Sequence, residues 1–77
     1  MIAYVLINTE IGSESDVLDA IKKITNVTEA HSVYGVYDIV TKIEAETLAK
    51  LKEIVTWKLR RLNQVRSTLT MIAMDQS

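Results

Sequence analysis

The sequence predicts an α+β domain of order β-α-β-β-α-β, a four-stranded antiparallel sheet with both helices on one face. Two observations carry the element order. Four runs are rich in β-branched and aromatic residues, and two longer runs space their apolar residues as helices do. A third supports the strand order: the runs differ in polarity, which separates central strands from edges.

The opening "IAYVLINTE", Ile2 to Glu10, is apolar at both alternating sets. Ile2, Tyr4 and Leu6 share one face and Ala3, Val5 and Ile7 the other, as in a central strand buried on both sides. "IGSESD" breaks the pattern, and Ser13 with Asp16 three residues on predicts a capping box opening a helix. Val17, Leu18, Ala20, Ile21 and Ile24 form its apolar face, which ends near "KKITN". "VTEAHSVY" carries Glu29, His31 and Ser32 and reads as an edge strand, followed by a more apolar strand over "VYDIVTKI". "EAETLAKLKEIVTWKLRRL" is the longest helical pattern, with Leu48, Leu51, Val55, Leu59 and Leu62 in one stripe and Asn63 placed to close it in the left-handed conformation. "QVRSTLTMIAM" is the last strand. Two right-handed crossovers joined by a hairpin give a ferredoxin-like sandwich with sheet order 4-1-3-2.

A chain of 77 residues is a single domain at a size where a monomer is marginal, since folding removes only about 60% of the unfolded surface. With no cysteine and one histidine, neither disulfides nor a Cys/His metal framework stabilises it, and no cofactor is implied. Association remains, and 48% apolar composition supplies the material. One sheet face stays bare of helix, so we expect a homodimer, sheet against sheet. At ~25 cal/mol per Å2, several hundred Å2 per side would contribute on the order of 10 kcal/mol before the costs of association. A net charge of −1 argues against non-specific nucleic-acid binding by the whole surface. No tract is long enough to cross a bilayer and "MIAYVLIN" lacks the basic flank of a signal peptide, so the expected location is the cytoplasm, without a membrane.

Several residues carry chemistry, each with two readings. Gly35, in "VYGVYDIV", supplies positive φ to a tight hairpin, or lets exposed N–H groups approach a ligand carboxylate. Asp38 caps a turn, or pairs with an ammonium group. Thr68 and Thr70 lie on one face of the last strand, with Ser67 on the other. They fit the pleat, or hold an amino acid's polar head. His31 reads as an edge residue, with no nucleophile motif beside it. Glu14 and Asp16, then Lys22 and Lys23, complement the dipole of the first helix, as Glu44 and Glu46, then Lys58, Arg60 and Arg61, complement that of the second. With Arg66 the last group alternatively forms a phosphate-binding patch. Trp57 projects opposite the apolar stripe, packing on the stems of its own helix or marking a contact between dimers.

Val27, Ala30, "VYGVYDIV", the amphipathic helix and "VRSTLTMI" together resemble the effector-binding domain of the Lrp/AsnC family, the feast/famine regulators, also called the RAM domain. The resemblance runs end to end, and its most specific element is G-x-Y-D, here Gly35, Tyr37 and Asp38. "STLTM" resembles the stand-alone forms of archaea and bacteria. The resemblance implies a homodimer assembled into an octamer-like ring. It also implies an amino-acid effector bound between dimers near the glycine turn, at Tyr34, Gly35, Tyr37 and Asp38, with Thr68 and Thr70. "NQV" stands where the family usually has "PGV", and the helix-turn-helix is absent, so direct DNA binding by the family's usual route is not expected. Full-length Lrp/AsnC regulators are candidate partners.

Strand 4 is expected to begin at the end of the sheet opposite the Gly35 turn. A pocket joining the turn to Ser67 or Thr68 then draws on two chains, while Thr70 reaches the turn within one. Besides amino-acid sensing, two functions compete. One is a cofactor-free enzyme using His31, Asp38 and the tyrosines in a cleft between helices and sheet. The other is a purely structural partner of a full-length regulator.

Overall fold

Alternation along β1 (Ile2–Thr9) sets the architecture: Ala3, Val5, Ile7 and Thr9 are buried, while Ile2, Tyr4, Leu6 and Asn8 face away and stay only partly covered. The computed structural model describes residues 1–75. The chain continues through α1 (Glu14–Lys22), β2 (Val27–Ser32), β3 (Ile39–Glu44), α2 (Leu48–Ile54), a π-helical turn that extends α2 (Val55–Leu59), and β4 (Val65–Ile72). The sheet order is β2-β3-β1-β4, the expected 4-1-3-2 read from the other edge, and every neighbouring pair is antiparallel.

Both helices lie on the face of Ala3, Val5 and Ile7. Val17 and Ile21 of α1, Leu51 and Ile54 of α2, and Leu59 of the π turn join Ile39 and Ile43 of β3 in one buried cluster. This fills the space between helices and sheet where an enzyme of this fold would need a cleft, and His31 lies outside it, exposed, 3.3 Å from Glu29.

The other face is open and split in two. Register places Leu6 between Val40 and Leu69, and Tyr4 between Lys42 and Met71. Leu69 and Met71 are each 46% exposed and Tyr4 is 39% exposed, so β1 and β4 present an apolar surface that no helix covers. On the β2 and β3 side, Glu29 lies 3.7 Å from Lys42, and Lys42 lies 4.0 Å from Glu44. Such solvated pairs each contribute only about 0–1 kcal/mol.

Several terminal details differ from the sequence reading. Ser13 does stand at the N-cap of α1, but with φ −106° and ψ 6° its side chain makes no capping bond. An extended backbone normally aims that side chain at the first turn, and Ser13 lacks it. Glu44 remains in β3 opposite Ile2, and α2 starts only at Leu48, so Glu44 and Glu46 both lie outside its first turn. Its cap is Thr47, whose Oγ1 accepts from the Lys50 N–H at 3.1 Å. In the apolar stripe, Leu48 is 39% exposed and Ile54 is fully buried in its stead. Among the described residues no non-glycine has positive φ, so Asn63 does not close the helix. The wider π turn does, with the Arg60 N–H donating to the Val55 carbonyl at 2.9 Å.

One buried polar atom lacks a partner among the described residues: the Oγ1 of Thr41, in the middle of β3 opposite Val5. Valine has nearly the same shape without the unpaired hydroxyl. Thr41→Val is therefore expected to raise stability by about 1 kcal/mol, read as the midpoint of chemical unfolding. A loss of stability would mean that the hydroxyl has a partner.

Candidate functional site

β3 and β4 both run antiparallel to β1, hence parallel to each other, and both begin beside its C-terminal end. The expectation that they start at opposite ends is thus corrected. Asn8 pairs with Ser67, and Ile7 lies between Ile39 and Thr68, so Ser67 and Thr68 lie toward the end of the sheet where β3 begins. Thr70, opposite Val5, lies two residues farther along β4 from that end than Thr68.

The connection itself is broader than a tight hairpin. Pairing of β2 stops at Ser32 and resumes at Ile39, and the Val33 N–H donates to the Asp38 carbonyl at 2.9 Å to close the loop. Gly35 does not have positive φ, and a β-carbon built on it meets no atom within 4 Å. The glycine with positive φ is Gly12, at +83°, in the link to α1. Tyr34 and Val36 are essentially fully exposed. Nothing in the chain itself requires glycine at position 35.

A pair of substitutions separates these cases. Gly12→Ala is expected to cost about 1 kcal/mol or more, because an L side chain is strained at its φ. Gly35→Ala is expected to leave the isolated chain as stable or up to about 1 kcal/mol more stable. If Gly35→Ala instead unfolded the domain, the loop would have to be tighter than described.

Asp38 is bound from several directions. Its N–H donates to the Ile7 carbonyl at 3.0 Å. Its Oδ2 accepts the Thr9 N–H at 2.8 Å and the Thr9 hydroxyl at 3.3 Å. The carboxylate thereby holds the end of β1 against the start of β3, while neither of these bonds uses Oδ1. Asp38 lines a cavity of about 390 Å3 with Glu14, Asn8, Ser67 and Arg66, so that two acidic residues and one arginine border one space. Arg66 lies 3.9 Å from Glu10, both being well exposed. Thr68 and Thr70 lie elsewhere, in a cavity of about 540 Å3 between β4 and the end of the second helix, with Arg60, Arg66 and Ser67. Tyr34, Gly35 and Tyr37 line neither of these cavities. The six residues singled out from the sequence thus fall into three places within one chain.

The profile of the Lrp/AsnC ligand binding domain matches residues 2–77. The chain belongs to this family. As an Lrp/AsnC domain it is similar to FFRP-DM1, with 37% identity, 95% of this chain and 97% of that one covered, and a TM-score of 0.91. It is likewise similar to the hypothetical protein PHS023 of Pyrococcus horikoshii, at 36% identity, 99% and 93% coverage, and a TM-score of 0.91. Among curated proteins, an uncharacterized HTH-type transcriptional regulator of Pyrococcus furiosus is 36% identical over 74 residues, 92% of this chain and 49% of that protein. The chain spans about half the length of the curated relatives it matches. Its own βαββαβ elements contain no helix-turn-helix among the described residues, and no helix among them is long and apolar enough to cross a membrane.

For this Lrp/AsnC domain, sequence reasoning passed over Thr9 and Asn8, which the fold brings to Asp38 and Ser67. No local pattern marks them, since each is remote from its partner along the chain. Trp57 keeps one face against its own helix, with the Arg61 guanidinium 5.0 Å from the ring centroid, and remains 60% exposed.

Proposed function

We propose that the chain is an amino-acid-sensing, oligomer-forming module of an Lrp/AsnC-type regulatory system. The observation that carries this reading is the cavity at the end of β1, which Asp38, Glu14 and Arg66 line together. An α-amino acid needs both signs of charge at short range, an acceptor for its ammonium and a donor for its carboxylate. Oδ1 of Asp38 and the Arg66 fork supply that pair.

The remaining residues support a site shared between chains. Tyr34, Gly35 and Tyr37 sit on an exposed loop, and Thr68 and Thr70 line a groove on the edge strand. A neighbouring protomer that lays this loop over the groove would enclose a ligand that one chain leaves open. The apolar open face of the sheet, centred on Leu6, Tyr4, Leu69 and Met71, supports pairing into dimers as the first step of that assembly.

The test is thermal unfolding with a panel of all twenty amino acids, alongside native mass measurement. A ligand that binds only the folded state raises stability by about 2.7 kcal/mol at a hundredfold excess over its dissociation constant. The expected result is a concentration-dependent rise for at least one amino acid in a dimer or larger assembly. A flat panel at millimolar concentration would remove the sensing role, and a monomeric mass would remove the shared site. Should a full-length regulator co-assemble with the chain while the panel stays flat, the structural-partner role replaces it.

A further inference from the structure

The larger cavity differs in charge from the one that contains Asp38. It is lined by Arg60, Arg66, Ser67, Thr68 and Thr70 with Val55 and Val65, and no acidic residue lines it; Thr68 and Thr70 lie opposite Ile7 and Val5, on the helix side. A zwitterion would find no carboxylate here for its ammonium. We propose that this cavity binds a small organic dianion, with its oxyanion held by Arg60, Arg66 and the hydroxyls of Thr68 and Thr70, and its carbon skeleton resting on Val55 and Val65.

Three features point the same way. Arginine's planar fork matches carboxylate and phosphate oxygens, and the hydroxyls add donors of adjustable direction. Helix-dipole compensation accounts for Lys58 and Arg60 at the end of the second helix, but not for Arg66, which belongs to β4.

The third feature is that two irregularities of backbone converge on the cavity. The pairing of β4 with β1 slips between Asn8 and Thr9, so that Ser67 faces Asn8, Val65 faces Thr9, and Arg66 is the extra, unpaired residue of a bulge. A bulge re-aims side chains. Here Val65 and Thr68 both keep contact with the helix side while Arg66 swings to the rim of both cavities. On the facing element, the π turn begins at Val55 and ends at the cap residue Arg60. A π-helical insertion shifts every later side chain around the helix axis, and such insertions occur often at functional sites. Arg60 lies within ion-pair distance of no carboxylate among the described residues, and Arg66 only of Glu10 at 3.9 Å. Both remain available to a ligand.

The inference does not rest on amino-acid sensing, because the groups it uses all belong to one chain and Asp38 is not among them. The experiment is titration by thermal shift and calorimetry at low ionic strength with inorganic phosphate, glycerol 3-phosphate and succinate, and with leucine as the neutral comparator. The first two against the third separate phosphate from carboxylate as the source of the charge. We expect at least one dianion to stabilise the protein. Arg60→Gln, which does not touch the Asp38 cavity, should weaken that dianion about tenfold, and Arg66→Gln at least as much. Raising the salt should weaken it further. Absence of any dianion response, or a response unchanged in Arg60→Gln, overturns the proposal. A leucine response alone overturns it while leaving amino-acid sensing intact, and a dianion response without leucine supports it independently.

Discussion

Replacing Leu69 with lysine is expected to convert the proposed sheet-to-sheet dimer into a folded monomer. Leu69 lies opposite Leu6 on the open face of the sheet and is 46% exposed in one chain, so lysine there costs the monomer little. Across a sheet-to-sheet interface, the same ammonium would be buried without a counter-charge. Desolvating it costs several kcal/mol, which predicts a dissociation constant raised by more than about a hundredfold. Native mass or sedimentation at micromolar concentration reads this directly. Leu48→Lys is the matched control, with 39% exposure at the start of α2 on the helix side. It is expected to keep the dimer. A Leu69→Lys protein that also stays dimeric would move the interface off the open face.

Asp38→Ala is expected to give the largest loss of stability for a residue near the site. The substitution leaves the Thr9 N–H, now paired at 2.8 Å, without an acceptor, and Thr9 is only 4% exposed. An unsatisfied buried donor costs about 1–3 kcal/mol, which lowers the melting temperature of a domain this small by about 10 °C. Asp38→Asn retains a side-chain oxygen toward Thr9 and should recover much of that loss. It removes the charge offered to an ammonium, so any amino-acid response should fall while the fold persists. If Asp38→Asn kept the full response, Asp38 would be a clamp between β1 and β3 and nothing more. If Asp38→Ala were as stable as the parent, the clamp itself would be absent.

Gly35 and Asp38 illustrate how differently a motif can be legible. Asp38 is unusual in a β-prone run, and that oddity singled it out, but its partner Thr9 is invisible until β1 and β3 pair. Gly35 stood out for a backbone conformation that it does not adopt. The order of strands followed from two right-handed crossovers joined by a hairpin, and polarity supported it: Glu29, His31 and Ser32 belong to an edge, and the doubly apolar β1 to the centre. The direction of β4 was also implicit in that order, since two strands antiparallel to the same neighbour must run together.

What the sequence by itself determined is the set of elements, their order in the sheet, and the apolar surface on both sides of β1. Side-chain periodicity and polarity are properties of neighbouring residues, and they survive without knowledge of the fold. Only the tertiary structure decided the slip that frees Arg66 from pairing, the π turn that brings Arg60 toward it, and the meeting of Asp38 with Thr9. Each depends on where separate elements pack against one another. A shift of one residue in a strand or helix turn re-aims a side chain without leaving a mark on the local pattern.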